Sequence, residues 1–563
     1  MRSFTRHLTA ALLVASLTVP TAYAQKDPDP PRLVENIDVR VINVDVVVTD
    51  RKGNPIPNLK ASDFEIYENG VLKPVSNFYE IQGNQARSVV EIPEQGATAS
   101  ATADVPPEIS EKLKRRIIFY IDNLSLAPFN RNRVFAQMKD FVKNVMRPGD
   151  EAMVATYNRS MKIRVPFSRD PAAINTMLDS LATESGLGIA ARSERKSTED
   201  RIREARSYDE AIATARAYAS SVEHDLRQSV ASLTGLMTTL AGVEGKKILV
   251  LTSEGFPMQP GREAFYFIDE VGREKGWSNV GATMLEPMSY DGTRFVQQVA
   301  KTANANGITM YTVHAAGLTG GMEMSAEHSQ SVSSMVSQAA ISNTTESMQL
   351  MAEMTGGLAS VQNNNFAEAF RRINRDLDSY YSLGYRAGTE RVDRQRYLQV
   401  KVKQKGVIVR NRQTFVEKSM FAEMSDRVIA NLLYKGKDND LKILARVSSP
   451  RPVEDGLYQV PMDIQIPMDS LTLIPQGDSE YVGGFDVYVA VADKDGDMSD
   501  VSRKSHQIRV SAADYKNLKG KYYTYTLDML MSRGLNKISV GVLDQISNTT
   551  GFAREQIIAQ DLR

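Results

Sequence analysis

Residues 37–50, IDVRVINVDVVVTD, alternate apolar and polar positions, the pattern of a strand with one buried face. Residues 63–73, DFEIYENGVLK, predict a hairpin: two short runs joined by Asn69-Gly70, a pair suited to a two-residue turn. Together these predict a small β domain over 37–81. Residues 82–113 are rich in Ala, Glu, Pro and Thr and lack an apolar period, which predicts a linker.

From 114 the period changes. RIIFYI (116–121), EAMVATY (151–157), KILVL (247–251) and ITMYTV (308–313) are continuous apolar runs, as in strands buried on both faces. MKIRVPF (161–167) reads as a hairpin partner, and YYSLGY (380–385) as the last strand of the set. Between them, apolar residues recur at helical spacing: Val134, Met138, Phe141, Val142 and Val145; a helix at 171–182; Phe295 and Val299; Phe366, Phe370, Ile373, Leu377 and Tyr380. A stripe from Ile202 to Leu240 predicts a long helical insert near 195–242, as one helix or two. Buried strands alternating with amphipathic helices predict a mostly parallel sheet with helices on both faces, over 114–416. Ligand sites in such folds lie beyond the carboxyl ends of the strands. Asp122 and the loop Thr252–Gly255 stand there, and so does the Ser- and Met-rich segment 315–345. From 417 to 563 short alternating runs (YQVPMDIQI, FDVYVAVAD, HQIRVS, YYTYTLDM, NKISVGVLD) predict a β-sandwich.

The chain has 563 residues, too many for one ordinary core, and 68 basic residues against 68 acidic ones. No overall field draws it to nucleic acid. Arg2 and Arg6, the apolar run Leu8–Val19 and Ala22-Tyr23-Ala24 predict a signal peptide over 1–24, hence export to the periplasm or the exterior. After cleavage no apolar run is long enough to span a bilayer as a helix. The absence of cysteine excludes a lipid-modified cysteine, disulfides and thiol chemistry.

Several stretches fall in a telling order and spacing: VVVTDRKGNPIPNLKASDFEIYENG, RIIFYIDNLSL, LAGVEGKKILVLTSEG, NGITMYTVHAAGL, and MAEMTGGLASVQNNNF with RDLDSYYSLGY. Over about 38–416 they resemble the von Willebrand factor A-type proteins of an exported bacterial, largely acidobacterial, group. The resemblance implies a Rossmann-like α/β domain that binds proteins, in many members through a metal ion-dependent adhesion site. That site pairs an Asp-x-Ser-x-Ser loop with a Thr from a second loop and an Asp from a third. A small hard Mg²⁺ takes about six oxygens, and a partner carboxylate fills the open position.

Carried onto this sequence, the first Asp is Asp122, but Leu124 and Leu126 stand at the serine positions. Ser125 is one residue out of phase and is expected to point elsewhere. Gly186–Ile189 offers no threonine, and the third-loop position falls on Ser253 or Glu254. The metal candidates Asp122, Ser125 and Glu254 thus form a degenerate set. Asp122 is expected instead to cap the helix opened by Pro128–Arg133 or to bond loop amides, with Leu124 and Leu126 packed over the sheet edge. DKDGDMSD (493–500) has its Gly at the fourth position, not the sixth of an EF-hand, and reads as a solvated hairpin turn. GWSNVG (276–281) reads as a loop. His224, His314, His328 and His506 lie in no ligand spacing. Among the methionines, Met324, Met335, Met348, Met351 and Met354 offer an adaptable surface, those on the helix at 345–354 reading as core. The expectation is a non-enzymatic envelope protein that contacts a protein partner through the carboxyl edge. The alternatives are an inert assembly component and an envelope-polymer hydrolase.

Overall fold

The computed structural model describes residues 41–560, apart from 84, 89–113, 279, 319–332, 387–391, 435 and 437. The signal peptide, most of the 82–113 segment, His328, Met324 and the centre of 315–345 lie outside the described residues.

The chain opens with β1 (Val41–Thr49), β2 (Phe64–Glu68), β3 (Val71–Lys73), β4 (Val75–Gln82) and β5 (Gln85–Ser88), so the segment read as linker begins with a strand. In β1 the alternation sorts side chains as expected: Val44, Val46 and Val48 enter a core with Phe64, Ile66 and Phe78, leaving Asn43 and Asp45 on the opposite face.

Next come β6 (Arg115–Asp122), α1 (Pro128–Val145), β7 (Glu151–Tyr157), β8 (Met161–Ser168), α2 (Pro171–Thr183), α3 (Gly188–Glu204) and α4 (Tyr208–Thr239). They are followed by β9 (Lys246–Ser253), α5 (Arg262–Lys275), α6 (Thr293–Ala305), β10 (Ile308–His314), α7 (Ser334–Thr355), β11 (Ala359–Ser360) and α8 (Phe366–Asp378). The sheet order is β11-β10-β9-β6-β7-β8, parallel except for the hairpin strand β8. On one face Ile117, Phe119, Ile121, Ile248 and Val250 pack with Val134, Met138, Ile174, Leu178, Phe370 and Ile373 of α1, α2 and α8. Each such side chain, fully buried, contributes on the order of 2 kcal/mol. The other face is buried too, at Ile118, Tyr120, Leu249, Leu251 and Met310. This is the two-sided burial that the continuous apolar runs predict.

The helical insert is two helices. Ser207 Oγ accepts from the Glu210 amide at 3.3 Å, and Glu210 Oε2 accepts from the Arg206 amide at 2.9 Å, a cap that starts α4 afresh.

One expectation is corrected. YYSLGY does not extend the parallel sheet. It forms β12 (Ser379–Arg386), antiparallel to both β1 and β4. With β13 (Gln395–Val402), β14 (Ile408–Asn411) and β15 (Thr414–Val416), it completes two sheets, β14-β1-β12-β4-β5 and β15-β13-β2-β3. The first β domain is therefore discontinuous, and the α/β domain is inserted between β5 and β12. The physical reason is that Tyr381, Leu383 and Tyr385 alternate into the core of β1 and β2, a period of two that fits a one-faced antiparallel strand.

The C-terminal unit opens with a helix, α9 (Met420–Tyr434), where only β structure was expected. Met424, Val428 and Leu432, four apart, pack on Tyr488, Ala490 and Leu543. Beyond it lie two antiparallel sheets, one around Tyr458–Pro467 and Tyr522–Met531, the other around Glu480–Ala492, Ser502–Ser511, Gly534–Asp544 and Thr550–Ala559. Their inward side chains share one core, including Val460, Ile464, Met529, Phe485, Val540 and Val542. DKDGDMSD turns between two strands of the second sheet, with Asp493 Oδ1 accepting from the Asp495 and Asp497 amides at 2.9 and 3.0 Å.

Candidate functional site at the carboxyl edge

Four parallel strands each end on a polar side chain: Tyr157, Asp122, Ser253 and His314. Register puts them in one row. Asp122 pairs with Tyr157, Ser253 with His314, and Ile121 with Thr252, which sets Asp122 beside Ser253. Neighbours in a parallel sheet point the same way. The row therefore lies on the face opposite Ile117, Phe119 and Ile121.

At the centre of the row, Asp122 Oδ2 accepts from Ser125 Oγ at 2.7 Å and from Ser253 Oγ at 2.8 Å, and the two hydroxyls stand 3.0 Å apart. Each hydroxyl also accepts a loop amide: Glu254 N–H to Ser125 at 3.0 Å and Gly255 N–H to Ser253 at 2.9 Å. Asp122 is 2% exposed, and its other carboxylate oxygen, Oδ1, is buried without a hydrogen-bond partner. Burial pushes its carboxyl above the usual range, against the two hydroxyls and the Ser125 and Leu124 amides.

Two expectations change here. Ser125 does not point elsewhere: after Asp122 the chain turns tightly, with Ser125 N–H and Leu126 N–H both on the Asp122 carbonyl at 3.2 Å, and this turn brings Oγ back onto the carboxylate. Nor does Asp122 cap α1. The N-cap is Ala127, and Glu254 Oε1 serves its amide at 2.9 Å, together with Asn130 Nδ2 at 3.0 Å. Leu126 packs in the core, and Leu124 borders the cavity described next.

A cavity of about 280 Å³ opens over the row. Asp122, Ser125, Glu254 and His314 form its floor, and α3 and α4 add Arg192, Glu194, Arg195 and Asp225. Arg192 Nη2 meets Glu254 Oε2 at 2.8 Å. The insert is held there by glycine: a Cβ on Gly188 would fall 2.4 Å from the Ser125 oxygen and the Leu126 carbonyl carbon. His314 is buried with Nδ1 unpartnered, and burial holds its imidazole below its ordinary value, against the charge of Glu254. Burial raises Tyr157, whose hydroxyl is buried without a hydrogen-bond partner.

Asp122, Ser125 and Ser253 come together, whereas Glu254 is engaged with α1 and Arg192. Arg192, Asp225 and Tyr157 carried no motif in the sequence. For Tyr157 the one legible signal is its place at a strand end, whereas Arg192 and Asp225 lie within helices. Of the methionines, Met348 and Met351 are core and Met335 is 43% exposed.

The oxygen triangle of Asp122, Ser125 and Ser253 has edges close to those of a Mg²⁺ octahedron, about 2.9 Å. Its protons and charge fit less well. Both hydroxyls give their hydrogens within the set, and the Glu254 carboxylate is paired with the Arg192 guanidinium. Among the described residues no group of three His, Asp or Glu side chains is placed to hold a metal. Both serines donate to the same carboxylate oxygen, and no hydrogen bond links either of them to His314.

No family model matches the chain, and no curated protein matches it. Solved structures with some likeness include an aerotolerance-related membrane protein from Bacteroides fragilis, at 15% identity and TM-score 0.22 over 47% of this chain and 98% of that one. The conserved hypothetical protein BatB from Bacteroides thetaiotaomicron has 10% identity and TM-score 0.22, over 47% and 97%. A von Willebrand factor type A protein from Catenulispora acidiphila has 8% identity and TM-score 0.22, over 86% and 74%. At such scores these likenesses carry no argument about function.

Proposed function

We propose that this is an exported, non-enzymatic protein of the cell envelope that binds a protein partner through the carboxyl edge of its α/β domain, without needing a resident metal. The observation that carries this reading is a set of exposed apolar side chains on or beside the segments that follow the carboxyl ends of the strands. Phe129, Ile189 and Leu318 are 61, 59 and 62% exposed, although large apolar side chains are costly in water. Phe129 and Leu318 are tied to each other: Arg133 lies 5.8 Å from the Phe129 ring and reaches Asn364 Oδ1 at 3.0 Å, which also accepts the Leu318 amide at 3.0 Å. Ile189 follows Gly188, which packs on the Ser125–Leu126 backbone. Among the residues that line the cavity, Asp122, Glu194, Asp225, Glu254 and Glu263 outnumber Arg192 and Arg195. Charge complementarity selects a partner segment that presents a lysine or arginine among apolar residues. The sequence resemblance to A-type domains supports the same edge.

Selection of displayed peptides on the whole protein tests this. Basic residues flanked by apolar ones should be enriched on the wild type and on Val71→Asp, an exposed apolar position elsewhere. They should be lost on Phe129→Asp and Ile189→Asp. Equal selection by all four leaves the inert assembly component as the reading.

A metal-dependent version is favoured by one observation, the 2.7, 2.8 and 3.0 Å oxygen triangle. In it Asp122, Ser125 and Ser253 hold Mg²⁺, which would supply a Lewis-acidic position for a partner carboxylate. A rise in melting temperature with Mg²⁺ that vanishes in Asp122→Ala selects this version, because a ligand of the folded state alone must stabilise it. Acidic rather than basic peptides would then be enriched.

A further inference from the structure

A second cavity, of about 510 Å³, lies at the opposite, amino end of the parallel sheet. Its size is in the range of small-ligand sites. Gly245, Lys246, Gly307 and Thr309, where β9 and β10 begin, form one side. The other side is the outward face of the sheet β14-β1-β12-β4. Because Val44, Val46, Tyr381 and Leu383 turn into the β-domain core, Asn43, Asp45, Tyr380 and Ser382 turn to the cavity. Asn77, Tyr79, Asn411 and Arg412 continue that wall. This outward sheet face offers the donors and acceptors of amides, hydroxyls and phenols beside the apolar Val47 and Ile81.

The charges on the walls do not balance. Arg410 is saturated, with its two Nη atoms on Asp376 at 2.7 and 2.6 Å. Lys246 Nζ lies 3.2 Å from Asp45 and 3.0 Å from the centre of the Tyr380 ring. Asp45 is thus the one carboxylate among the lining residues, and Lys246 holds it. Arg412 is left over. One of its Nη atoms donates to the Asn43 carbonyl at 2.7 Å, and its Nε is buried without a partner. Among the described residues no carboxylate is within ion-pair distance of it. Burial holds both Arg412 and Lys246 below their ordinary values, the direction expected of cations removed from water without full compensation. A planar guanidinium with a free Nε edge suits a two-oxygen anion, taken in parallel hydrogen bonds.

We propose that this cavity binds a small polar ligand through one oxyanion group, a carboxylate or a phosphate monoester, with Arg412 as the primary anchor and Lys246 as the supporting charge. The amides of Asn43, Asn77 and Asn411 would then bond the uncharged part of the ligand. This site is independent of the carboxyl-edge reading, and neither depends on the other.

Melting of the whole protein tests it. The probes are sodium acetate and sodium phosphate at tens of millimolar, against sodium chloride at the same ionic strength and neutral pH. The midpoint should rise above the chloride value with acetate, phosphate or both, and the ranking of the two names the class. Arg412→Gln should weaken the response by about tenfold or more, Arg412→Lys should keep part of it, and Arg273→Gln, which does not line the cavity, should leave it intact. If Arg412→Gln does not fold, Asn77→Asp serves. That residue is exposed, and the added carboxylate should weaken binding by repulsion. No rise over chloride with either anion overturns the proposal, as does an undiminished rise in both Arg412→Gln and Asn77→Asp.

Discussion

At the carboxyl edge of the parallel sheet, the polar groups come from strand-terminal residues and from helices inserted above them, acids are in excess, and the ion pair of Arg192 with Glu254 has an arginine 54% exposed. At the amino edge the Arg115–Asp150 ion pair is sunk, although Asp45, paired with Lys246, is 42% exposed. Arg115, which opens β6, gives Nε to Asp150 at 2.9 and 3.0 Å, with both side chains 4% exposed, and also reaches Asp378 and the Val145 carbonyl. One edge thus keeps its charges where a partner can compete for them, and the other uses charges to lock the strand starts. The lesson is about solvent: the same Arg–carboxylate chemistry is adjustable in water and rigid once desolvated.

Mutations can break this comparison, and the largest effect should fall at the amino edge. Asp150→Ala strips the buried Arg115 of its main partner, leaving it only Asp378 at 3.2 Å and the Val145 carbonyl, and should cost about 3–5 kcal/mol in urea unfolding. A loss below 1 kcal/mol would show that this edge is as solvated as the other. Gly188→Ala should cost about 1–3 kcal/mol, because its methyl would meet the Ser125–Leu126 backbone. It should also shift the insert off the cavity and reduce peptide capture. Asp122 sharpens the comparison through pH. Its carboxyl is raised in the folded state, which therefore binds the proton more tightly than the unfolded chain. Stability should fall as pH rises from its ordinary value of 3.8 through the folded value, and Asp122→Asn should flatten that slope. His314 runs the other way. Its folded value is depressed, so its contribution is complete above pH 6.5 and is lost as pH falls below it, a loss that His314→Gln should remove. The smallest effect belongs to Arg192→Gln, less than about 1 kcal/mol in stability, with its change expected in partner selection instead.

Much of the fold is legible in the chain. Continuous runs such as RIIFYI and KILVL state two-sided burial, and the interrupted stripe of IDVRVINVDVVVTD states one buried face. YYSLGY was misassigned because its neighbours in sequence are α/β elements, although its own period of two already fitted the other domain. The break between α3 and α4 was written as Ser207 and Glu210, a cap easily lost inside a continuous apolar stripe. α9 was written as Met424, Val428 and Leu432, three residues too sparse to stand out before a long β region.

At the candidate site, the strand ends named Asp122, Ser253 and His314 as neighbours of the carboxyl edge. Spacing along the loop did not place Ser125, because a tight turn reverses the direction a side chain takes from one residue to the next. Glu254 was visible as a carboxylate after a strand, but its partners, the Ala127 amide, Asn130 and Arg192, lie 127, 124 and 62 residues away. The sequence alone determined which segments are strands and helices and which residues end them, because period and burial are local properties of the chain. Only the tertiary structure decided that the β domain closes around an inserted α/β domain, that two serines share one carboxylate oxygen, and that the Nε of Arg412 is buried without a hydrogen-bond partner. Those outcomes depend on contacts between segments far apart in the chain, whose geometry no local pattern encodes.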